Sequence, residues 1–503
     1  MRRRTGLAVD LVGAVNLVAT LTKYLSPATL VPAAVAIGYG ETPWPFLLAG
    51  AIVGGVAAAV EWLTRGDHRI GPREGFLVVS LAWLAAAALG ALPYLLSGDM
   101  QLDRPVDAYF EAMSGFTTTG SSVLTDVEGV SRSIVLWRQF TQWLGGVGII
   151  VLALAVLPRL RVGGRQLLEH EMPGPEIESM STRIQDTARR VWVLYVALTA
   201  ALVLLLAGFA LTGVDERMTV FDAFAHALTT LPTGGFGVDA NSLQEFGAAS
   251  QWTIALFMAL AGANFALLYR AFVRREGKAF ARDEEFRVYG GLLALGSLVL
   301  VGDLWLEGVA SGEAAIRHGV FQAVSVMTTT GYGTVDFAVF STLGAITLVG
   351  LMFVGGSAGS TSGSVKVVRH LLLGRILRRE LDQTLHPELV APVRLNRTPV
   401  EERTLRAVTS FVLIYIGIFI VGTVLLAADA ARTGLELSVL EAIGASASTL
   451  GNVGPAFGFA GPFGSIEPFS DFSTIVMTGL MWLGRLEVIP IVVLLSRHYW
   501  RNA

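Results

Sequence analysis

Apolar stretches recur along the whole chain at about the 20-residue length that crosses a bilayer as a helix. They lie near residues 11–39, 44–64, 75–97, 132–158, 191–212, 250–271, 288–308, 341–368, 407–428 and 472–496. Between several of them sit shorter apolar segments, near 107–119, 222–234, 318–330 and 441–453. Those are too short to cross, and the pattern predicts re-entrant helices there.

The positions of the charges test this reading. Arginine-rich clusters occur at Arg2–Arg4, Arg65–Arg73, Arg159–Arg190, Arg270–Arg287, Arg375–Arg406 and Arg497–Arg501, whereas the intervening connections carry isolated residues such as Arg104, Arg132, Arg217 and Arg432. The clusters occupy alternate loops only if the short segments do not cross. By the positive-inside rule both termini are then cytoplasmic. The opening Met-Arg-Arg-Arg has no small-residue cleavage site with the right flanks, so the first apolar run reads as a retained span. Composition agrees. Of the 503 residues, 53% are hydrophobic and only 15% charged, and mean hydropathy is +0.60; a soluble domain carries about 25% charged residues. A soluble enzyme, a disordered chain and a nucleic-acid binder are excluded. A net charge of -3 gives no reason to seek an anionic partner, and the absence of cysteine removes disulfides, thiolate metal sites and Cys nucleophiles.

The short segments align without gaps as Asp107–Gly120, Asp222–Gly235, His318–Gly331 and Glu441–Gly454. Each starts on a polar residue, ends on glycine and is flanked by a span on either side. The unit is helix, short re-entrant helix, loop, helix, repeated four times, with an extra pair of spans in front. The predicted fold is an all-α polytopic membrane protein with four such units around a central pore. The corresponding divisions are 1–74, 75–190, 191–287, 288–402 and 403–503.

Each short helix points its C-terminus, with roughly half a negative charge, towards the membrane centre, which favours a cation there. Asp107, Asp222 and Glu441 suit the positive helix starts. The loops that follow read Thr118-Thr119-Gly120, Thr233-Gly234-Gly235, Thr329-Thr330-Gly331 and Asn452-Val453-Gly454, and the third continues as Tyr332-Gly333. Thr-Thr-Gly-Tyr-Gly is close to the Thr-Val-Gly-Tyr-Gly of potassium-channel filters, in which backbone carbonyls replace the hydration shell of the ion. Glycine permits the backbone angles that such stacked carbonyls require. The loops hold no carboxylate, so selection would come from carbonyl dipoles.

With these loops, Gln142–Ile150 and Gly484-Arg485-Leu486-Glu487, essentially the whole chain resembles the Trk/Ktr/HKT superfamily of potassium transporters, most closely its TrkH and TrkG branch. The resemblance implies one filter glycine per repeat, at Gly120, Gly235, Gly331 and Gly454, and potassium rather than sodium because all four are glycine. It also implies a bacterial inner-membrane location, a homodimer, and a separate cytosolic ring of TrkA-type nucleotide-binding subunits. No organic cofactor is expected on this chain, and the basic loops 159–190 and 375–406 suit docking of that partner or simply set topology.

The span after the third filter contains Gly355-Gly356-Ser-Ala-Gly359-Ser-Thr-Ser-Gly363-Ser364. Each glycine costs about 1 kcal/mol relative to alanine in a helix, so a break is predicted. A break at membrane depth must be buried in protein or line a cavity. No Gly-Lys-Ser/Thr and no preceding strand support a nucleotide P-loop. Lys366 and Arg485 are charges in apolar context. Lys366 either snorkels to the interface or reaches the loop. The resemblance implies that Arg485 bonds carbonyls of the broken loop, that Arg485 and Glu487 gate it, and that Arg485→Ala raises basal flux. Gln142 and Asn264 either line the conduit or bond neighbouring helices. His226 and His318 read as packing or capping residues. The leading function is potassium translocation; the alternative is a sodium or poorly selective pathway on the same scaffold. An intramembrane enzyme lacks His-Glu-x-x-His and a nucleophile–base pair, and inverted-repeat transport does not suit repeats that all begin on one side.

Overall fold

The computed structural model describes residues 9–68, 71–151, 177–389 and 391–500. The end of the fourth predicted span and most of the 159–190 loop lie outside those residues. Among the described residues all regular structure is helical except a small hairpin pairing Arg394–Leu395 with Thr398–Pro399. Helices Trp44–Leu63, Arg73–Ser97, Ala188–Thr212, Glu284–Leu306 and Glu402–Thr433 are each long and apolar enough to cross a membrane. Their outward faces are apolar, as at Leu413, Ile420, Val421 and Val424, which is the surface that hydrocarbon tolerates.

Four shorter helices are tucked between the long ones: Pro105–Phe116, Val220–Thr230, Gly312–Met327 and Val439–Gly451. Each packs on the helix before it and the helix after it in its own repeat. Val220–Thr230 and Val439–Gly451 open with reciprocal capping boxes, Thr219 with Asp222 and Ser438 with Glu441, so these acids satisfy the first orphan amides. The third short helix begins at Gly312, six residues earlier than expected, and carries Glu313 in its first turn. His318 is therefore inside it rather than at its start.

In each repeat a carboxylate ties the two flanking helices together at one end. Asp215 accepts from Gly247 N–H (2.8 Å), Asp303 from Ser341 N–H (2.9 Å) and Asp429 from the Ser473 hydroxyl (2.7 Å). Each fixes the start of the second helix of its repeat to the end of the first. In repeat one the same task falls to Glu41 of the N-terminal pair, which accepts from Arg132 N–H (2.8 Å) and Ser133 N–H (2.9 Å).

Besides the run 341–368, where a break is predicted, three of the predicted spans are not continuous. The run 11–39 is interrupted by a tight turn at Ser26–Thr29, where Pro27 removes a helical donor. The run 250–271 breaks after Ala261 and turns by 106° before Phe265–Val273. The run 472–496 breaks after Arg485 and turns by 113° before Ile489–Leu495. Each break is only about three or four residues long between apolar runs, so average hydrophobicity reads straight across it.

Candidate ion pathway

The four loops after the short helices share one backbone conformation. The first residue of each triplet is left-handed: Thr118 (φ 53°), Thr233 (55°), Thr329 (58°) and Asn452 (55°). So is each final glycine: Gly120 (87°), Gly235 (80°), Gly331 (85°) and Gly454 (112°). The middle residue is held by one repeated bond. Thr119, Gly234, Thr330 and Val453 each donate N–H to a carbonyl five residues back, at Ser114, Thr229, Ser325 and Ser448, all at 2.8 Å. The hydroxyls of Ser114 and Ser325 then hold the carbonyls of Ser121 (2.6 Å) and Tyr332 (2.7 Å).

The loops close a ring. A β-carbon on Gly120 would collide with the Gly234 carbonyl oxygen, on Gly235 with that of Thr330, on Gly331 with that of Val453, and on Gly454 with that of Thr119. Each loop thus leans on the next, in the order one, two, three, four and back to one. Cross-repeat bonds brace the ring: Ser121 hydroxyl to Gly454 carbonyl (2.6 Å) and Asn452 Nδ2 to Thr119 Oγ1 (3.0 Å). Thr118, Thr119, Thr233, Thr329, Thr330, Asn452 and Val453 are all buried. Tyr332 turns away from the ring, where its hydroxyl meets Thr229.

Gln142 belongs to this ring. Its Nε2 donates to the Gly234 carbonyl (2.7 Å) and its Oε1 accepts from Phe236 N–H (3.2 Å). A β-carbon at residue 234 would overlap the Gln142 amide. This gives the physical reason why repeat two has glycine where repeats one and three have threonine.

On one side the ring opens into a cavity of ≈ 250 Å³ lined by its four glycines together with Arg138 and Asp239. Arg138 is buried and bonds Glu111 through Nε (2.7 Å), while Glu111 also accepts from Ser122 Oγ (3.0 Å) and Val123 N–H (3.0 Å). Asp239 is held bidentately by Arg217 at 2.7 Å. Burial pushes the Asp239 carboxyl up to about 6; Arg217 opposes that shift, and the nearby Glu128, Asp222 and Glu245 reinforce it.

On the opposite side lies the predicted break in repeat three. Helix Thr342–Met352 stops, a loop follows, and Val367–Leu385 resumes. The loop folds on itself: Gly355 N–H donates to Val365 O (3.0 Å) and Val367 N–H to Gly356 O (3.1 Å). It then reaches repeat two and the ring triplet of its own repeat. Ser357 N–H donates to Gly262 O (2.8 Å), Thr361 Oγ1 to Leu231 O (3.0 Å) and Gly363 N–H to Thr329 Oγ1 (2.7 Å). Gly363 lies so close to Gly451 and Asn452 that a side chain would strike both, and Gly359, left-handed at φ 72°, lies beside Asn264. The loop is therefore seated directly beneath the ring.

Both buried cations converge on it. Lys366 Nζ donates to Ser362 O, so it reaches the loop rather than snorkelling. Arg485 donates to Thr361 O (3.0 Å) and Gly145 O (3.4 Å), linking the loop to repeat one. Glu487 does not pair with Arg485. It pairs with Arg369, because the helix ends at Arg485 and Glu487 and Val488 take positive φ. Among the described residues Asn264 bonds no neighbouring helix through its side chain. Its Oδ1 caps its own short helix at Ala266 N–H (2.8 Å) and Leu267 N–H (3.2 Å). His226 packs against Phe246 and Tyr332, and His318 meets Thr334 Oγ1 at 2.9 Å. The sequence left Glu285 unnoticed: its Oε1 accepts the Ala358 N–H of the loop at 2.6 Å. Three consecutive acids at a helix start, Asp283-Glu284-Glu285, conceal the one that points inward.

This architecture matches known proteins over nearly its full length. The TrkH potassium transporter of Vibrio parahaemolyticus superposes with a TM-score of 0.86 at 32% identity, covering 98% of this chain and 100% of that one. The potassium uptake protein TrkH of Escherichia coli K12 is 35% identical over 89% of this chain and 90% of its own length. TrkG of the same organism is 32% identical over 88% of each. The TrkH description, cation transport protein, matches residues 46–501. The chain belongs to the TrkH family of cation transport proteins, multi-pass membrane proteins rather than enzymes.

Proposed function

We propose that this chain translocates potassium through a filter of backbone carbonyls formed by Thr118-Thr119-Gly120, Thr233-Gly234-Gly235, Thr329-Thr330-Gly331 and Asn452-Val453-Gly454. The closed ring carries the reading. Four carbonyls at matched positions, each packed on the next glycine, offer an ion fixed dipoles in place of its hydration shell. Serine at any of the four glycines would put a β-carbon into a neighbouring carbonyl. Matched relatives bear the name of potassium uptake proteins.

The loop 355–364 is the gate of this reading, held by Arg485 and Lys366, with Gly355, Gly356, Gly359 and Gly363 giving the close backbone passage it needs. The family resemblance further suggests a bacterial inner-membrane site with cytoplasmic termini, a homodimer and a TrkA-type regulatory ring acting on the cytoplasmic face. The repeat divisions at 74/75, 190/191, 287/288 and 402/403 belong to the same reading.

Flux of potassium, rubidium, sodium and lithium into proteoliposomes of the purified chain tests the proposal. Potassium and rubidium flux well above sodium is expected. Equal sodium and potassium flux overturns the selectivity assignment and favours a poorly selective pathway on the same fold. Silence of the chain alone is resolved by adding the cytosolic partner with its nucleotide.

A further inference from the structure

One buried carboxylate faces the loop from outside the ring-and-arginine machinery. Glu285 lies in the first turn of helix Glu284–Leu306 and is 8% exposed. Its Oε1 accepts the Ala358 N–H of the loop (2.6 Å), and the Val368 N–H, in the first turn of the helix after the loop, faces the same group. A carboxylate at a helix N-terminus is electrostatically favoured there. One side chain thus fastens the loop and the helix that follows it to the first helix of repeat three.

The two acids beside it are bonded in the opposite direction, to the cytoplasmic-side hairpin. Asn396 N–H donates to Glu284 Oε2 (3.0 Å), Glu284 N–H donates to Asn396 Oδ1 (2.9 Å), and Asn396 Nδ2 donates to Asp283 Oδ2 (3.1 Å). Arg375, on the helix after the loop, holds Glu284 at 2.8 Å. Asn396 and Arg397 form the left-handed turn of the hairpin (φ 47° and 69°), and that turn lies outside the buried core. Three consecutive residues therefore join a surface turn to the loop beneath the ring through an unbroken chain of hydrogen bonds.

We propose that Glu285 is the positioning residue that latches the loop closed, and that the Asn396 turn is the handle through which a load on the hairpin releases it. The inference rests on the gating reading above. Displacing the hairpin pulls Asp283 and Glu284, tilts the first turn of the helix and draws the Glu285 carboxylate off Ala358. Loss of that bond then loosens the loop from its seat beneath the ring.

The test is basal rubidium flux through the full chain in proteoliposomes, with Arg485→Ala as the reference for an opened loop. Glu285→Ala is expected to raise flux roughly tenfold, the shift that one lost buried hydrogen bond gives a two-state equilibrium. Glu285→Gln is expected to rise less, since a carboxamide oxygen still accepts from Ala358. Asn396→Ala should raise flux by a smaller factor, and the double variant should match Glu285→Ala alone, because both act on one link. The potassium-to-sodium ratio should hold in every variant, which a merely loosened fold would not preserve.

Parental flux in Glu285→Ala beside a leaking Arg485→Ala overturns the latch and leaves the gate standing. Parental flux in both overturns the gate and the latch together. Independent, additive effects of Asn396→Ala and Glu285→Ala overturn the handle. If Glu285→Ala yields no folded protein, Asn396→Ala on the surface turn decides, and parental flux there counts against the proposal.

Discussion

The ring and the loop beneath it are built from the same chain by opposite means. The ring is repetitive: four triplets, four left-handed glycines and one hydrogen bond made four times at 2.8 Å. The loop is singular. Among the described residues it occurs in repeat three alone, and its bonds run to Leu231 and Gly262 of repeat two, Thr329 of its own repeat and Arg485 of repeat four with no shared geometry. Repetition suits an ion on an axis, which must meet equal dipoles on every side. On the proposed gating reading the obstruction needs to move, and one segment held by a few separable bonds suits that.

Breaking the ring should have the largest effect. In Gly235→Ala the new methyl meets the Thr330 carbonyl and the residue keeps a φ of 80°. Left-handed strain of about 1–2 kcal/mol adds to that collision, so potassium flux should fall by roughly a hundredfold while the protein still purifies as a folded membrane protein. Releasing the loop comes next. Arg485→Ala removes the bond to Thr361 and should raise basal flux by roughly tenfold, with the ion ratio unchanged. Retained low flux in that variant would separate the loop from gating.

A smaller effect distinguishes the four loops from one another. Gln142→Leu keeps the volume but removes the donor to Gly234 and the acceptor for Phe236. Loop two then relaxes, and the potassium-to-sodium flux ratio should drop by about fivefold, the worth of one ordinary hydrogen bond; an unchanged ratio would make Gln142 packing alone. The smallest effect belongs to the mouth of the cavity. With its carboxyl raised to about 6, Asp239 is charged above that pH and neutral below it. Acidifying that face through pH 6 removes the negative charge of Asp239 and leaves Arg217 only its longer contact with Glu245 (3.7 Å) beside the proposed cation path, so flux should decline there. Asp239→Asn should be low at every pH and lose the step.

The ring was legible because its signal repeats. Thr-Thr-Gly alone is a common turn, but four aligned glycines after four apolar segments can be read from the chain. The break at 355–364 was legible for a local reason: four glycines in ten residues oppose a helix. The breaks at Gly262–Asn264 and Arg485–Val488 have one glycine each at or beside them, too weak a signal to read from the chain. Each rests on packing, Gly262 against Thr328 and Gly484 against Leu450, and the second places Val488 at φ 61°, where a β-branched residue is strained. Sequence therefore suggested one helix through Arg485 and Glu487, and the partner of Glu487, Arg369, is 118 positions away. Gln142 was noticed as polar in an apolar run, but its partner came only from the fold.

The central claim is that an ion is held by the carbonyls of Thr119, Gly234, Thr330 and Val453. Anomalous diffraction from crystals of this chain grown in rubidium tests it most directly. The account predicts an anomalous peak on the axis of the ring, within coordinating reach of those four oxygens, that is lost when rubidium is replaced by sodium. A ring without a peak, with rubidium bound instead beside Asp239 or along the loop, would contradict it.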